Sequence, residues 1–302
     1  MKILSIRSAF YTPALLTAAR FLPAAGVEAD LIFRTDQNPS TMLREGSLDF
    51  AQHAPSAAMV EISKGIADTP VHIASINERD GFLLIGREPD PAFEWRKLEG
   101  RTVVPASFAV QPEACLRYAL HRQGVDAARV ALVEGLDGMA AAAEAFANGR
   151  GDYVQLQDPM ARSLVGQGKG HLVAQFGPAI GPIAFSSIAC GRRTLDERPD
   201  TVRAFMLAYR AARRWIDDAD PREIRDAIAP WFANVDQGVL LDAVAGYKSL
   251  GTWTRDTAID RQAFTVTNAM MRHSAALTGI TRDFDYDECC DDSFAVAVDR
   301  GG

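Results

Sequence analysis

Residues 43–65 read LREGSLDFAQHAPSAAMVEISKG, and this stretch decides the fold. Its pattern predicts the end of a helix at residues 40–46, a short strand at 48–51 and a second helix at 57–64. The connecting residues 52–56 are small or polar. A strand that leads into a helix through such a loop places the loop at the carboxyl end of a parallel sheet, where open α/β sheets bind ligands. The stretch therefore predicts one wall of a small-molecule cleft.

Length and composition limit the classes of protein that this chain can be. At 302 residues, it lies near the size at which a single core divides in two. Hydrophobic residues make up 48% and charged residues 24%, as in ordinary globular proteins. The net charge of −7, without any basic block, argues against nucleic acid as a partner. The four cysteines show no zinc-ligand spacing, so we expect reduced thiols and no metal site. We also expect no cofactor.

Two series of alternating strands and helices follow one another along the chain. The predicted strands of the first series are residues 2–6, 27–33, 48–51, 71–76 and 82–87, and those of the second are 102–104, 130–133, 152–156 and 171–176. One more strand is predicted at 183–190, and the chain beyond it is nearly all helical. This order predicts an α/β protein with two lobes, each a mostly parallel sheet flanked by helices. Residues 1–95 and 183–302 are predicted to form a discontinuous first lobe, and residues 96–182 an inserted second lobe. Pro/Gly breaks between them would act as a hinge.

The start of the chain has no pattern typical of export. A secretory signal needs an apolar run of roughly 7–15 residues, but Arg7, Tyr11 and Pro13 interrupt the apolar residues here. We therefore expect the first strand and helix of the fold at this end, without a signal peptide. No segment approaches the ~18 apolar residues of a membrane span, so we also expect no direct membrane insertion.

The order of these motifs resembles the periplasmic solute-binding proteins of the nitrate/sulfonate/taurine and thiamine-pyrimidine type. The segments that carry the resemblance are LREGSLDFAQHAPSA (43–57), LEGRTVV (98–104), ANGRGDYVQLQDP (147–159), RPDTVRAFMLAYRAARRWI (198–216) and DYDECCDDSF (285–294). The resemblance covers nearly the whole chain. It implies a two-lobed, periplasmic-binding-protein-like type II fold. It also implies a small polar or aromatic ligand (a sulfonate, a carboxylate or a pyrimidine-like molecule) and membrane subunits of an ABC-type importer as partners.

The resemblance implies that loops at the strand ends of both lobes contact the ligand. Carried over by position, these contacts are Phe10, Tyr11, Gln52, His53, Ser56, Glu78, Arg79, Asp80, Ser107, Phe108, Gln155, Gln157, Asp158 and Ser186. Several of them also follow a predicted apolar strand directly, where a side chain has no core to join. That position supports them independently of the resemblance.

Each candidate also has a structural interpretation. His53 either bonds to the ligand or satisfies the backbone of its own loop. For Phe10 and Tyr11, either at least one stacks on a planar ligand, or one packs against the helix below and the other faces water. Arg79 either clamps an anion or pairs with the acids on both sides of it. Ser107 either caps the helix that it opens or belongs to an anion site at that helix end.

Two classes of function remain open. The first is the substrate-binding component of an ABC-type importer, which the resemblance places in the periplasm. The alternative is a cytosolic enzyme on the same fold, similar to desulfinases, decarboxylases or pyrimidine synthases, that acts on a small aromatic or heterocyclic substrate. The missing signal favours the cytosol and so favours this alternative, or a cytosolic sensor.

The residues of the predicted cleft favour binding over catalysis. Similar pyrimidine synthases need a pyridoxal-phosphate lysine, and similar desulfinases need a nucleophilic cysteine in the first loop. Here the first loop reads Ser8-Ala9-Phe10-Tyr11, and no lysine lies in a predicted cleft loop. We therefore assign no catalytic residue.

Overall fold

The computed structural model describes residues 1–106 and 109–301. Within them, the strands are β1 (Lys2–Ser5), β2 (Asp30–Phe33), β3 (Phe50–His53), β4 (Val71–Asn77), β5 (Phe82–Gly86), β6 (Thr102–Val104), β7 (Ala131–Leu132), β8 (Tyr153–Gln157), β9 (His171–Gln175) and β10 (Ser186–Cys190). Strands and helices alternate through most of residues 1–190, except that β4 leads directly into β5, and the chain after β10 is helical. This is the order that the sequence predicts.

The helices surround these strands. They are α1 (Thr12–Leu16), α2 (Leu22–Ala24), α3 (Pro39–Arg44), α4 (Pro55–Ser63), α5 (Val110–Arg122), α6 (Gly138–Ala147), α7 (Met160–Gly166), α8 (Phe176–Ile180), α9 (Arg192–Glu197), α10 (Pro199–Asp218), α11 (Pro221–Ile228), α12 (Gln237–Leu250), α13 (Arg261–His273), α14 (Ala275–Thr278), α15 (Tyr286–Cys289) and α16 (Ser293–Arg300). A π-helical turn, Thr17–Phe21, joins α1 to α2. No helix of the described residues is long and apolar enough to cross a membrane.

The first sheet has the strand order β2-β1-β3-β10-β4. β1 pairs in parallel with β2 and β3, whereas β10 runs antiparallel between β3 and β4. Ser187 of β10 therefore lies opposite His53 on one side and Ser75 on the other. The carboxyl ends of β1, β2 and β3 point to the same edge, which is where a ligand site is expected.

The second sheet repeats this arrangement with the strand order β7-β6-β8-β5-β9. β6 pairs in parallel with β7 and β8, and β5 runs antiparallel between β8 and β9. Each sheet thus contains one antiparallel strand, β10 in the first and β5 in the second. The chain enters each of these strands after it crosses from the other sheet. The predicted fold class, two mostly parallel sheets flanked by helices, is confirmed.

One strand lies on the other side of the predicted boundary. Residues 1–95 were expected to form one unit, but β5 pairs within the second sheet. Its uniformly buried sequence, FLLIG, carries no alternation that would show which sheet it joins. The chain crosses between the sheets at residues 78–81 and returns at 181–185. We propose two lobes built on the two sheets, with these crossings as the hinge, and call them the first and second lobe.

The main hydrophobic core contains buried residues of both lobes, among them those of the first sheet, of α5 and of the long helix α10. This amphipathic helix spans Pro199–Asp218, where the sequence predicts a helix at 200–219. Its Phe205 stacks on Phe50 of β3, with ring centroids 4.0 Å apart. A smaller core lies in the second lobe around Phe146 of α6. The four cysteines are free and buried.

Candidate functional site

A cleft of about 520 Å³ opens where the ends of β1, β2 and β3 meet the first turn of α5. Residues 34–40, which follow β2, and the start of α4 form its wall on the side of the first lobe. Residues 109–112 form the opposite wall, at the start of α5, and residues 185–186 lie between the two. Connections of both sheets therefore bound the cleft, as expected for a ligand site between lobes.

Five of the predicted ligand contacts line this cleft. They are Tyr11, Gln52, His53, Ser56 and Ser186. None of these residues is more than 7% exposed, so the surrounding protein encloses their side chains. The structure brings the five to one surface, and their contact with a ligand stays a prediction.

His53 is a neutral hydrogen-bonding group in this wall. Its Nε2 lies 3.1 Å from the Ser40 hydroxyl, and its Nδ1 lies 3.3 Å from the carbonyl oxygen of Ala54. Because a carbonyl oxygen only accepts, Nδ1 carries the proton and Nε2 accepts from Ser40. Burial, assisted by the nearby Arg34 charge, lowers the pKa of His53 to about 4. The imidazole is therefore uncharged at pH 7.

Arg34 is a charged residue of the cleft that was not among the predicted contacts. Its backbone N–H donates to Ser5 at 2.9 Å, which continues the β1–β2 ladder and fixes the residue at the strand end. Within residues 1–106 and 109–301, no hydrogen bond or salt bridge involves its guanidinium group. Burial lowers the pKa of Arg34, but a guanidinium stays protonated in proteins. The cleft thus contains a cation without an anionic partner from the described chain.

Gln111 was also missed, and it joins the two walls of the cleft. The Ser56 hydroxyl donates to Gln111 Oε1, and Gln111 Nε2 donates to the carbonyl oxygen of Phe185 at 2.8 Å. Ser56 stands in the first turn of α4, and Gln111 in the first turn of α5. Both helices therefore begin at the cleft.

Ser186 and Gln52 differ in their hydrogen bonding. Ser186 donates to Asn77 Oδ1, and Asn77 Nδ2 donates to the carbonyl oxygen of Phe10 at 2.8 Å. Gln52 is 5% exposed, and its Oε1 has no hydrogen-bond partner among the described residues. A buried acceptor without a partner is uncommon, and a ligand donor placed against it would form the hydrogen bond that the protein does not supply.

Phe10 lies outside the cleft. Its ring is fully buried, 5.3 Å from the Phe185 ring and 5.0 Å from the Tyr247 ring. Trp253 Nε1 donates to the Phe10 carbonyl oxygen at 2.9 Å. Phe10 therefore packs in the core, in line with its structural interpretation, whereas Tyr11 faces the cleft.

Glu78 and Arg79 do not line the cleft either. They belong to the crossing between the sheets, which packs against residues 252–254. Thr254 donates to Glu78 Oε1 at 2.9 Å, and Thr252 donates to the Arg79 carbonyl oxygen at 3.2 Å. Burial raises the pKa of Glu78. These charged residues follow β4 because the chain leaves the first sheet there. A position after a strand does not by itself distinguish such a crossing from a ligand loop.

Asp80 is fully buried in the same crossing. Its Oδ1 accepts from the backbone N–H of Phe82 at 2.6 Å, and the Cys115 thiol lies beside the carboxyl. Burial raises the pKa of Asp80 to about 7. The carboxyl therefore shapes the crossing rather than the cleft.

Gln155 and Gln157, on β8 of the second lobe, hold structural positions around the cleft. Gln155 Oε1 accepts from Ala106 N–H at 3.2 Å, and its Nε2 donates to the Pro112 carbonyl oxygen at 3.0 Å. Gln157 lies within hydrogen-bonding reach of the Tyr11 hydroxyl, whose pKa is raised by burial. Gln157 therefore contacts a cleft residue without lining the cleft itself.

Asp158 is paired within the protein. Arg162 Nε donates to its Oδ2 at 2.8 Å, and the Tyr247 hydroxyl donates to its carbonyl oxygen at 3.0 Å. Burial raises the pKa of Asp158. The last two predicted contacts, Ser107 and Phe108, lie outside the described residues.

A signal for both missed residues exists in the sequence. Arg34 directly follows the predicted strand 27–33, so the rule that selected His53 selects it too. Gln111 lies in the first turn of a predicted helix, where polar side chains face the loop.

Across residues 1–106 and 109–301, no group of three or more His, Cys, Asp or Glu side chains is arranged to hold a metal ion.

Comparisons with known proteins agree with this architecture. A family model described as NMT1/THI5 like matches residues 17–223, more than half of the chain. The Bacillus subtilis (strain 168) protein named "Putative binding protein YtlA" is 27% identical over 274 residues, which are 89% of this chain and 81% of that protein.

Solved structures show the same fold. The ligand binding component of an ABC-type import system from Staphylococcus aureus matches with a TM-score of 0.76 and 15% identity, over 99% of this chain and 98% of that one. The alkanesulfonate-binding protein SsuA from Xanthomonas axonopodis pv. citri matches with a TM-score of 0.73 and 15% identity, over 97% and 98%. At these identities, the structural likeness concerns the fold alone.

Proposed function

The chain belongs to the NMT1/THI5-like family, and on that premise we propose that it is the substrate-binding component of an ABC-type importer. In this role it captures a small molecule in the cleft between its lobes and presents it to membrane subunits. The ligand carries an anionic group, a sulfonate or a carboxylate, on a small polar or aromatic body. A pyrimidine that bears such a group belongs to the same class.

The unpaired guanidinium of Arg34 is the observation that carries this proposal. Arg34 is exposed at the cleft, and no carboxylate of the described residues pairs with it, so its N–H groups are available to a ligand anion. Guanidinium groups bind carboxylate and sulfonate oxygens through parallel N–H···O bonds. His53 and Tyr11, both neutral at pH 7, add hydrogen-bonding groups without adding charge that competes with the ligand.

The helix ends at the cleft support the same ligand charge. α4 and α5 begin there, with Ala54 and Ala109 at their N-cap positions, and neither has a side-chain cap. Uncapped N-terminal N–H groups favour a negative group nearby. The apolar body of a ligand has partners as well, because Ile6, Val110 and Met271 line the same cleft.

The described lining residues offer neither of the groups that the similar enzymes need, a nucleophilic cysteine or a cofactor-binding lysine held in the cleft. Among those that the structure describes, none is a cysteine, and the lysine in the lining, Lys64, is exposed. We therefore propose binding without turnover, and a protein that works in the periplasm beside its membrane subunits.

A thermal-shift screen of sulfonates, aromatic acids, pyrimidines and amines tests the proposal. An anionic ligand at ~100 times its dissociation constant should add ~2.7 kcal/mol to the free energy of unfolding, whereas simple amines should add nothing. Chromatography of the incubated mixture should return the ligand unchanged. A response to amines alone, or conversion of the ligand, would contradict the proposal. Fractionation of native cells is expected to find the protein in the periplasm, and a cytosolic location would refute the importer role.

A further inference from the structure

Gln111 is bonded at both ends of its amide. Oε1 accepts from the Ser56 hydroxyl, and Nε2 donates to the carbonyl oxygen of Phe185 at 2.8 Å. Since a carbonyl oxygen only accepts, the bond to Phe185 fixes which end of the amide is the nitrogen. The side chain is 7% exposed and also lines the cleft. It is therefore held in one orientation at the cleft wall.

The partners of Gln111 lie in the other lobe. Gln111 stands on α5, which follows β6 of the second sheet, whereas Ser56 follows β3 and Phe185 precedes β10, both strands of the first sheet. One side chain thus joins the second lobe to two separate points of the first.

Gln155 attaches the start of α5, and with it Gln111, to the second sheet. Its amide bonds to Ala106 N–H at one end of the β6–α5 connection and to the Pro112 carbonyl oxygen at the other. Because Gln155 itself lies on β8, the first turn of α5 is tied to the second sheet. A displacement of Gln111 relative to the first lobe would therefore move the second sheet with it.

We propose that Gln111 is a latch between the lobes, a positioning residue that sets how far the cleft opens. The proposal rests on the proposed function, since it concerns the same cleft. An amide side chain has two N–H groups and two acceptor lone pairs, and Ser56 and Phe185 take one of each. One donor and one acceptor remain. A bound molecule can thus bond to Gln111 without breaking the latch, and so favours the closed arrangement.

Distance measurements between spin labels on the two lobes test the latch without any ligand. Exposed positions for the labels are Glu45→Cys in the first lobe and Asn148→Cys in the second, and the native cysteines are buried. Gln111→Met keeps the length of the side chain but removes both bonds. Gln123→Met is the matched control, because Gln123 lies at the other end of α5 and its Nε2 donates to Ala179 at 3.0 Å, away from the cleft.

The latch predicts a specific ranking of the variants. Gln111→Met should raise the ratio of long to short distances at least about tenfold, since it removes two hydrogen bonds, whereas Gln123→Met should leave it unchanged. Ser56→Ala should raise it about fivefold, and should add nothing in the Gln111→Met background.

Equal distance distributions for Gln111→Met and Gln123→Met would overturn the latch, and so would additive effects of Ser56→Ala and Gln111→Met. If circular dichroism shows that Gln111→Met does not fold, Ser56→Ala decides alone, because unchanged distances in that variant refute the proposal. A ligand screen without any hit bears on the proposed function only, since no ligand enters this experiment.

Discussion

The guanidinium of Arg34 and the imidazole of His53 line the same cleft, and the charge of Arg34 helps to keep His53 neutral. Burial is the larger cause of the low His53 pKa, and the nearby cation adds to it. The cleft therefore places the permanent positive charge of Arg34 beside a neutral donor and acceptor. An anion that neutralises Arg34 also removes part of the reason for His53 to stay unprotonated.

Stability should fall in acid because of His53. Its pKa is about 4 in the folded protein, against 6.5 ordinarily. As the pH falls below about 6.5, the unfolded chain binds a proton that the folded protein does not, so stability is lost until the pH reaches about 4. The shift corresponds to about 3 kcal/mol. Urea unfolding at pH 7 and pH 4 should show a loss smaller by that amount in His53→Gln than in the wild type.

The control for this measurement is His171→Gln, because His171 is exposed on β9. It should retain the full acid-induced loss. An identical loss in His53→Gln and the wild type would show that His53 is not the residue that resists protonation. Burial also lowers the pKa of His72, and the charge of His53 adds to that shift, so His72 leaves part of the acid-induced loss in both proteins.

Arg34→Gln should weaken binding of the best anion from the ligand screen by more than tenfold. The reason is that hydrogen bonds to charged groups contribute ~1.5–3 kcal/mol, and ~1.4 kcal/mol is a factor of ten. Titration calorimetry measures the effect. Arg79→Gln is the matched control and should bind normally, because Arg79 lies on the crossing rather than in the cleft. Equal weakening by both substitutions would indicate a general charge effect instead of a specific contact.

Gly81→Ala should destabilise the protein by about 1–3 kcal/mol, the usual cost of overpacking. A Cβ at this position would overlap a ring carbon of Phe10, whose fully buried ring packs against Phe185 and Tyr247. Denaturant unfolding measures the loss. Gly166→Ala is the control, because no heavy atom lies within 4 Å of a Cβ there and alanine favours the helix. A neutral Gly81→Ala would mean that the crossing and the Phe10 ring are not packed tightly.

Arg213→Met should cost about 3 kcal/mol or more. The guanidinium is buried and donates to the carbonyl oxygens of Ser75, Ile76 and Thr254 at 2.7, 3.0 and 2.6 Å. Its loss removes a donor from buried carbonyl oxygens at the end of β4, just before the crossing, although the Ser75 oxygen keeps the bond from the Tyr209 hydroxyl. Thermal unfolding should show the effect, whereas the same substitution at the partly exposed neighbour, Arg214→Met, should be nearly neutral. A small loss in Arg213→Met would mean that water replaces the donor there.

Strand ends explain both what the sequence could predict and what it could not. The rule that polar residues after a parallel strand face a ligand cleft placed Gln52, His53 and Ser56 on one wall. The same rule applied to residues 78–80, but there the chain leaves the sheet for the other lobe. A crossing and a ligand loop have the same composition, because both need polar groups that satisfy an irregular backbone.

Contacts between segments that are distant along the chain could not be predicted from the sequence. Phe10 and Tyr11 are adjacent and chemically alike, yet only packing against Phe185 and Tyr247 decides that the first is buried and the second faces the cleft. In the same way, nothing local to β5 shows that it pairs with β8 rather than with β4.

The antiparallel position of β10 has a consequence for the order of folding. All strands of the second sheet are contained in residues 82–175, but the first sheet needs β10, at Ser186–Cys190, between β3 and β4. During synthesis, β4 therefore leaves the ribosome long before the strand that connects it to β3. We expect the inserted lobe to complete its sheet first and the lobe that begins the chain to finish last, with the edges of β3 and β4 open in the nascent protein until β10 arrives.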